Sequence, residues 1–454
     1  MEEYIRAGAD AALERLKRLC AQPSVSAQGL GIHPCAQLVR AMLEELGATV
    51  SMTPAPENGY PVIYGEIRGR SERTVLFYDH YDVQPPEPLE LWSSPPFEPT
   101  VRDGKLYGRG VSDDKGSIAV RLAAIEAYVR TGVGLPCTVK FFLEGEEEIG
   151  SPHLAEVVRD HAHLLKADGC IWEGGGVNWE GDPLLSLGLK GILYVELVAR
   201  GPSRDVHSSY AAVVPSPVWR LTWALATIKS SKEEILIPGF YDTVRPLTPA
   251  EQDALRRIPP EEGQLLESLG LTAFVNRARG FEYQRRLQTE PTCNICGIIS
   301  GYTGPGVKTV LPNEARVKLD FRLVPEQDPQ DIVSKLRAHL DAQGFQDVEI
   351  ASWDGEPAAR TSLDHPWAGM VADAASISYG REAVIAPSMA GSGPMHLFTH
   401  ALGLPVSTGC GLSHPDNRIH APDENIRIED VVKGVLHTAE LLDRLGNAGG
   451  QVVR

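Results

Sequence analysis

The stretch Thr74-Val75-Leu76-Phe77-Tyr78-Asp79-His80-Tyr81-Asp82-Val83 decides the fold. Its first four residues form an apolar run, which predicts a buried strand. The strand leads into His80 and Asp82, and such groups need a compensating charge, which a metal ion would supply. Asp82 lies two residues after His80 and points the same way from an extended backbone, where it can accept the second ring N–H and fix the tautomer. The alternative is a charged surface turn, which this stretch taken alone favours.

The same pattern follows two other predicted strands. Residues 137–143 run into Glu147 and Glu148, and residues 170–172 end at Glu173. Predicted helices alternate with these strands, which indicates a mostly parallel α/β sheet with helices on both faces. Because sites in such sheets lie beyond the carboxyl ends of the strands, we expect these acids near His80. For each cluster taken singly, the alternative is a solvated turn.

Two loops add candidate ligands. The glycine-rich loop at residues 105–116 contains Asp113 and precedes a predicted helix at 117–130. Its glycines do not form a dinucleotide-binding fingerprint, because the third glycine and the ribose-binding acid are out of register. The loop at residues 411–424 contains His420, a second imidazole. A lone histidine there would ordinarily be a surface residue. His420 becomes a candidate ligand because the acids described above lack a second nitrogen donor.

The middle of the chain has a different pattern. Its order of elements is βαββαβ, which is ferredoxin-like and predicts an α+β domain at residues 188–355 inserted into a catalytic domain at 1–187 and 356–454. Residues 238–291 within it carry no assignable pattern. The predicted elements of this domain are strands at 192–198, 293–299, 315–323 and 348–350, and helices at 216–229 and 328–340. In the catalytic domain we predict further helices at 5–19, 34–46, 367–378 and 428–445, and strands at 49–52, 62–67, 384–385 and 405–406.

Composition limits the possible functions. The chain has 454 residues, which favours two domains, and a formal net charge of −17, which argues against nucleic acid or an anionic membrane as a partner. No apolar run is long enough to span a bilayer, and the first residues lack the features of a signal peptide. Seven scattered cysteines indicate a reducing cytoplasm. Cys293 and Cys296 form a lone Cys-x-x-Cys pair, which we expect to be buried in the core rather than to be half of a zinc site.

The candidate ligands suit a pair of metal ions. Nitrogen and oxygen ligands without thiolate favour Zn²⁺, with Mn²⁺ or Co²⁺ as substitutes. Two ions ~3.5–4 Å apart need one bridging carboxylate and two further ligands each. One carboxylate should remain as a general base, and Glu147 beside Glu148 can supply it. The five ligand candidates are His80, Asp113, Glu148, Glu173 and His420.

Over nearly its whole length the chain resembles the di-zinc metallopeptidase family of carnosine and other cytosolic dipeptidases, carboxypeptidase G, aminoacylase, and the acetylornithine and succinyl-diaminopimelate deacylases. Four stretches carry the resemblance: YDHYDVQP at 78–85, YGRGVSDDKG at 107–116, EGEEEIGS at 144–151 and HAPDE at 420–424. Together they are specific to this family, and each alone is less so.

The resemblance implies a role for each candidate ligand. Asp113 matches the bridging aspartate, His80 and Glu173 complete one metal site, and Glu148 and His420 complete the other. Asp82 orients His80. Glu147 takes a proton from the bridging water and later gives it to the leaving amine. The Asp113–Asp114 peptide bond is expected to be cis.

The resemblance also makes the inserted domain a lid and dimerisation domain. His207 matches the lid histidine that polarises the scissile carbonyl, often across a dimer interface. Arg322 matches the arginine that binds a substrate carboxylate, and Asn313 and Ser392 are further candidates for substrate contact. For all four residues, the alternative is ordinary lid structure. We therefore expect a homodimer.

These expectations define a leading function and its rivals. The lid stretches favour the dipeptidase branch, which predicts hydrolysis of dipeptides or short peptides by a cytoplasmic enzyme. Glu173 stands where dipeptidases usually have aspartate and is typical of carboxypeptidases and deacylases, so an N-acyl-amino-acid amidohydrolase or carboxypeptidase is the alternative. A non-catalytic binding protein would lack a ligand or the base, and the sequence lacks neither.

Overall fold

The computed structural model describes residues 1–53, 56–409 and 411–448. The helices are α1 Glu2–Ala7, α2 Ala9–Ala21, α3 Ile32–Glu45, α4 Lys115–Thr131, α5 Leu154–His161, α6 Pro217–Ile228, α7 Pro249–Arg257, α8 Glu262–Ser268, α9 Gly280–Thr289, α10 Pro329–Ala342, α11 Pro366–Tyr379 and α12 Ile428–Asn447. The strands are β1 Thr49–Thr53, β2 Val62–Ile67, β3 Thr74–His80, β4 Thr100–Arg102, β5 Lys105–Tyr107, β6 Thr138–Glu144, β7 Gly169–Trp172, β8 Gly176–Val177, β9 Pro183–Ser186, β10 Gly188–Leu189, β11 Gly191–Arg200, β12 Val206–His207, β13 Thr292–Ser300, β14 Val310–Leu311, β15 Glu314–Leu323, β16 Glu349–Glu356, β17 Ala359–Arg360, β18 Val384–Ala386, β19 Val406–Thr408 and β20 Asn425–Arg427.

The central sheet has the strand order β1-β2-β6-β3-β7-β19. Strands β6, β3, β7 and β19 are parallel, and β2 and β1 extend the sheet in antiparallel fashion. The buried Phe77 and Phe141 face a core that includes residues of α2, α3, α4, α11 and α12. Tyr78 and Trp172 face the opposite side, where they pack with α5 and a π-helical turn at Leu397–Ala401. This confirms the predicted mostly parallel sheet with helices on both faces.

A second sheet contains β13-β15-β11-β16, with every neighbouring pair antiparallel. In chain order its elements are β11, α6, β13, β15, α10 and β16, which confirms the predicted ferredoxin-like arrangement. One face of the sheet buries Val195, Leu319 and Phe321 against the two helices. The other face carries polar residues and the exposed Tyr194, and Arg322 on it contacts Ser392.

Capping residues explain where three of the five helices of residues 188–355 begin. The Ser216 hydroxyl accepts the Trp219 amide at the start of α6, and the Asp328 carboxylate accepts the Asp331 amide at the start of α10. Thr248 and Glu251 form a capping box at the start of α7. Each of the three caps is followed by proline, whose fixed φ suits the first helical position.

The segment without an assignable pattern, residues 238–291, contains α7, α8 and α9. Its contacts include the catalytic part of the chain: Glu251 pairs with Arg360 at 3.1 Å, and Arg257 pairs with Glu382 at 4.0 Å. The domain boundaries at 187/188 and 355/356 remain a prediction. The chain crosses between the two parts where β10 pairs with β17.

Two expectations about local structure were wrong. The helix predicted at 5–19 is interrupted at Gly8, which separates α1 from α2. Cys293 is buried as expected, but Cys296 is exposed and its thiol donates to Asp320 at 3.1 Å. Within the part of the chain that the structure describes, no helix has the length and apolar character needed to cross a membrane.

Candidate metal centre

Three neighbouring parallel strands end at the same edge of the central sheet. Strand β3 ends at His80, β7 ends just before Glu173, and β6 ends three residues before Glu147. Glu147 and Glu148 lie in the 3₁₀ turn that follows β6. Because parallel strands present their carboxyl ends together, residues distant in sequence meet at this edge.

Asp113 lies between the two histidines. Its Oδ1 is 3.0 Å from His80 Nε2, and its Oδ2 is 3.0 Å from His420 Nε2. One carboxylate therefore offers a separate oxygen to each imidazole, which is the arrangement that a bridging ligand requires. The peptide bond between Asp113 and Asp114 is cis, as expected.

The remaining two candidates divide between the histidines. Glu173 Oε2 is 3.7 Å from His80 Nε2, and Glu148 Oε2 is 3.2 Å from His420 Nε2. The structure thus brings all five predicted ligands together as two groups that share Asp113. Asp114 adds a carboxylate that the sequence did not single out, because its oxygen groups with His80 and Glu173.

The environment of these side chains fits a pair of divalent cations. Burial, followed by repulsion from Glu147, raises the pKa of Glu173 well above its usual range. Glu173 Oε2 is buried without a hydrogen-bond partner among the described residues. Bound cations would neutralise these closely spaced carboxylates, and the imidazole and carboxylate donors are those that Zn²⁺ prefers.

Glu147 has the properties of a proton carrier. Burial raises its pKa to about 7, although the nearby His80 opposes this shift. A carboxyl group that titrates near neutrality can both accept and release a proton at physiological pH. Glu147 directly precedes the proposed ligand Glu148 in the same 3₁₀ turn.

Asp82 contacts a residue of each group of ligands, His80 and Glu148. Its Oδ1 is 3.3 Å from His80 Nδ1, and its Oδ2 accepts the backbone N–H of Glu148 at 3.1 Å. Its own backbone oxygen lies 3.1 Å from the same His80 nitrogen. Gln84 Nε2 donates to Glu148 Oε2 at 2.8 Å. Both His80 and Glu148 are therefore held by groups of the 78–85 stretch, and Gln84 is a contact that the sequence did not reveal.

His420 differs from His80 in exposure and in backbone conformation. The His80 side chain is buried, whereas that of His420 is 52% exposed. The φ angle of His420 is +62°, in the left-handed region that residues other than glycine rarely adopt. Backbone strain of this kind is common at functional sites.

The predicted lid residues fall into two separate places. Arg322 Nη1 donates to Ser392 Oγ at 2.8 Å, and Ser392 Oγ donates to the backbone oxygen of Gly191 at 3.0 Å. This contact joins β15 to the catalytic part of the chain. His207 instead hydrogen-bonds with Thr309 at 3.2 Å, and the backbone N–H of Asn313 donates to Asp205.

The two places lie at opposite ends of β15. Asn313 immediately precedes this ten-residue strand, and Arg322 is its second-last residue. Nine residues of extended chain span about 30 Å, which is longer than a dipeptide. Arg322 and Ser392 are therefore brought together, whereas Asn313 lies far from them, and so does His207, because β12 pairs with β14 just before Asn313.

Comparisons with known proteins show which family the chain belongs to. The profile of the family described as Peptidase family M20/M25/M40 matches residues 76–444. The Cys-Gly metallodipeptidase dug1 of Schizosaccharomyces pombe is 32% identical over 363 residues, which cover 74% of each chain. The Beta-Ala-His dipeptidase of Mus musculus is 31% identical over 69% of this chain and 64% of its own length. The crystal structure of the M20 family metallo-carboxypeptidase Sso-CP2 from Sulfolobus solfataricus is similar with a TM-score of 0.90, at 37% identity over 96% of this chain and 99% of that chain.

Proposed function

The chain belongs to the peptidase family M20/M25/M40 and is a metallopeptidase, and we propose that it hydrolyses dipeptides or short peptides with a free C-terminal carboxylate. One observation carries this proposal: the two oxygens of Asp113 each lie 3.0 Å from a different histidine. The relatives that cleave Cys-Gly and Beta-Ala-His support a dipeptide as the substrate.

In the proposed enzyme, His80 and Glu173 would hold one divalent cation, His420 and Glu148 would hold the other, and Asp113 would be a ligand to both. Zn²⁺ is the first choice for this donor set, with Mn²⁺ and Co²⁺ as substitutes. When bound, such ions supply Lewis-acid polarisation and lower the pKa of water.

Glu147 performs the proton transfers. It takes a proton from the attacking water and returns it to the nitrogen of the leaving amine. The elevated pKa of about 7 supports both steps, because the carboxylate is basic enough to accept the proton and the carboxyl group is acidic enough to release it. Asp82 keeps His80 oriented during the reaction through its contact with Nδ1.

Arg322 binds the C-terminal carboxylate of the substrate, and Ser392 holds the guanidinium in place. The planar guanidinium suits a carboxylate because two parallel hydrogen bonds can form. His207 polarises the scissile carbonyl, and Asn313 lies at the same end of the lid, where its backbone N–H donates to Asp205. Since these two residues lie about 30 Å along β15 from Arg322, they would serve the site of a second subunit.

A homodimer would supply that second subunit. β13 is an edge strand of the lid sheet, and Ile295, Ile298 and Ile299 are exposed along it. An exposed apolar edge strand is a surface that pairs readily with another chain. We also propose a cytoplasmic location, because the six cysteines among the described residues are free thiols, five of them buried, and a reducing compartment maintains this form.

A carboxypeptidase acting on longer peptides, or a deacylase of N-acyl amino acids, is the second candidate. Glu173 favours it, as does the likeness to the Sulfolobus metallo-carboxypeptidase. Hydrolysis rates for free dipeptides, N-acetylated amino acids and tetrapeptides would separate these functions. Activity confined to N-blocked substrates would exclude the dipeptidase.

Metal quantification tests the proposal directly. Purified protein should contain two divalent ions per chain, and a chelator should abolish dipeptide hydrolysis. Glu147→Gln should retain both ions while turnover falls about 10²–10⁴-fold, the usual contribution of a general base. Near-normal turnover of Glu147→Gln would remove Glu147 from this role, and a wild-type protein that binds no metal would refute the mechanism.

A further inference from the structure

Arg121, a buried residue of α4, binds the carboxyl ends of β3 and β7 just beyond the point where the two strands no longer pair with each other. The ladder between β3 and β7 ends at the pair Phe77 and Ile171. The next carbonyls along the strands, those of Tyr78 and Trp172, accept hydrogen bonds from Arg121, at 3.0 Å from Nη1 and 2.9 Å from Nη2. The guanidinium therefore joins the two strands one residue beyond their last direct pair.

The two connected strands carry the ligands of one proposed metal site. Trp172 directly precedes Glu173, and Tyr78 lies two residues before His80. In a rigid strand, the position of a backbone carbonyl fixes the direction of the following side chains. A shift of one carbonyl relative to the other would therefore also shift the backbone of Glu173 relative to that of His80, whose side chains are 3.7 Å apart between Oε2 and Nε2.

Asp79 compensates the charge of Arg121. The Arg121 side chain is 4% exposed and that of Asp79 is fully buried, and the two form a close ion pair. The guanidinium carbon also lies 5.0 Å from the centre of the Phe77 ring. Buried ion pairs contribute little net stability compared with apolar residues of the same size, so stability alone is a weak explanation for this pair.

We propose that Arg121 is a positioning residue for the metal site formed by His80 and Glu173, and that Asp79 is its counter-ion. The guanidinium sets the spacing of the two strand ends by binding both carbonyls at once. This inference rests on the proposed function, because it requires that these residues bind a metal ion. Neither Asp79 nor Arg121 would touch the ion, the water or the substrate.

The rings of Tyr78 and Trp172 stack with their centres 4.0 Å apart, and this contact is the alternative explanation for the spacing of the ends of β3 and β7. They lie on the face of the sheet opposite to Phe77. If the aromatic stack were sufficient, the guanidinium would be dispensable for metal binding. The two explanations predict different Zn²⁺ affinities for Arg121→Lys.

Arg121→Lys tests the proposal. Lysine keeps the charge opposite Asp79, but its single Nζ replaces two nitrogens held apart in a rigid plane, so it cannot fix the separation of the two carbonyls as the guanidinium does. Metal-free protein is titrated with Zn²⁺ in competition with a chromophoric chelator. We expect one of the two Zn²⁺ ions to bind about 10–100-fold more weakly, the usual effect of changing a residue that supports a metal ligand, while the other keeps its wild-type affinity.

Two backgrounds identify the affected site. In His420→Ala protein the remaining ion is the one held by His80 and Glu173, and Arg121→Lys should weaken it by the same factor. In Glu173→Ala protein that site is already impaired, so Arg121→Lys should have no further effect. Equal weakening in both backgrounds would overturn the proposal.

Two further variants separate positioning from stability. Asp79→Asn/Arg121→Met removes both charges, so its thermal stability should recover relative to Arg121→Met alone, while its weaker Zn²⁺ site should not recover. Arg360→Met, which removes a buried arginine paired with Glu251, should lower stability and leave both Zn²⁺ affinities unchanged. Wild-type Zn²⁺ affinities in Arg121→Lys and in the double variant would overturn the inference, whereas a wild-type protein that binds no pair of ions would refute the proposed function instead.

Discussion

Single residues that touch no metal hold the candidate ligands in place, and Glu424 is the clearest of them. Its carboxylate accepts backbone N–H groups from Gly110, Ser112 and Asp113, at 2.9, 2.9 and 3.1 Å. It also pairs with Arg109 at 2.8 Å, and both side chains are buried. The loop that presents Asp113 is thus wrapped around one carboxylate. Because Glu424 lies four residues after His420 in the same stretch, it also joins that stretch to the loop.

Glu424→Gln should destabilise the metal-free protein. Glutamine replaces one acceptor oxygen with a donor group, so two of the N–H contacts are lost and the Arg109 charge is left uncompensated. Removing one partner of a buried ion pair costs about 3–5 kcal/mol. Urea unfolding in the presence of a chelator measures this loss. Asp416→Asn is the control, because it changes an exposed acid of the same loop, and an equal midpoint for the two variants would contradict the role given to Glu424.

Arg322→Lys should weaken the recognition of substrate rather than the chemistry. A lysine offers a single ammonium nitrogen in place of the planar guanidinium fork, so the paired hydrogen bonds to the carboxylate are lost. Because a hydrogen bond to a charged group contributes about 1.5–3 kcal/mol, kcat/KM for a dipeptide should fall about 10–100-fold. Most of the change should lie in KM.

A C-terminally amidated dipeptide is the matched control for this variant. It lacks the carboxylate, so Arg322→Lys should change its kcat/KM by much less than that of the free dipeptide. Equal losses for both substrates would show that Arg322 does not read the carboxylate.

Elements were predicted from sequence where one physical rule dominates. The apolar runs of β3, β6 and β7 predicted buried strands, and the acids that follow them predicted the site edge, because parallel strands align their carboxyl ends. The segment 238–291 gave no pattern because its helices are short and rich in polar and charged residues, and depend on contacts such as Glu251 with Arg360. The bridge from Arg121 to two strand ends could not be predicted, because nothing local indicates which carbonyls a buried arginine will meet.

Helix α7 offers a test of how this insert is attached. Glu251 accepts hydrogen bonds from Arg245 at 2.6 and 2.9 Å and from Arg360 at 3.1 Å. Although burial raises the pKa of Glu251, these contacts and the backbone of Thr248 lower it from 4.5 to about 2. The ionised form is therefore favoured in the folded protein. The contribution of ionised Glu251 to the stability of the folded protein is complete above pH 4.5 and is lost as the pH falls through about 2.

Glu251→Gln should therefore be less stable than the wild type at neutral pH, by up to about 3 kcal/mol. The difference should shrink as the pH falls below 4.5, because the wild-type carboxylate then begins to take up a proton in the unfolded chain. Thermal unfolding from pH 7 to pH 3 measures it. Glu267→Gln, an exposed acid on α8, is the control and should show no such trend. A pH-independent difference for Glu251→Gln would contradict the assignment.

At the scale of the whole molecule, the proposed homodimer requires each lid to serve two sites. Arg322 meets the catalytic part of its own chain through Ser392, whereas His207 and Asn313 lie at the far end of β15. A rigid ten-residue strand cannot bring both ends to one dipeptide. Two copies related by a twofold axis can, because each copy then lends its far end to the site of the other. The exposed edge strand β13 provides a surface for that arrangement.

Mixing two inactive variants should therefore restore activity. His207→Ala and Arg322→Met each impair both sites of their own homodimer. In a mixed dimer both defects fall on one site, and the other site is intact. After random exchange of subunits, half of the dimers are mixed, and about a quarter of the wild-type activity should return. Dipeptide hydrolysis before and after subunit exchange measures this recovery.

Two control mixtures use Glu147→Gln. When it is mixed with His207→Ala, both defects fall on the same site of the mixed dimer, so activity should recover. When it is mixed with Arg322→Met, each site carries one defect, so the mixture should stay inactive. If no mixture recovers activity, His207 acts within its own chain or not at all.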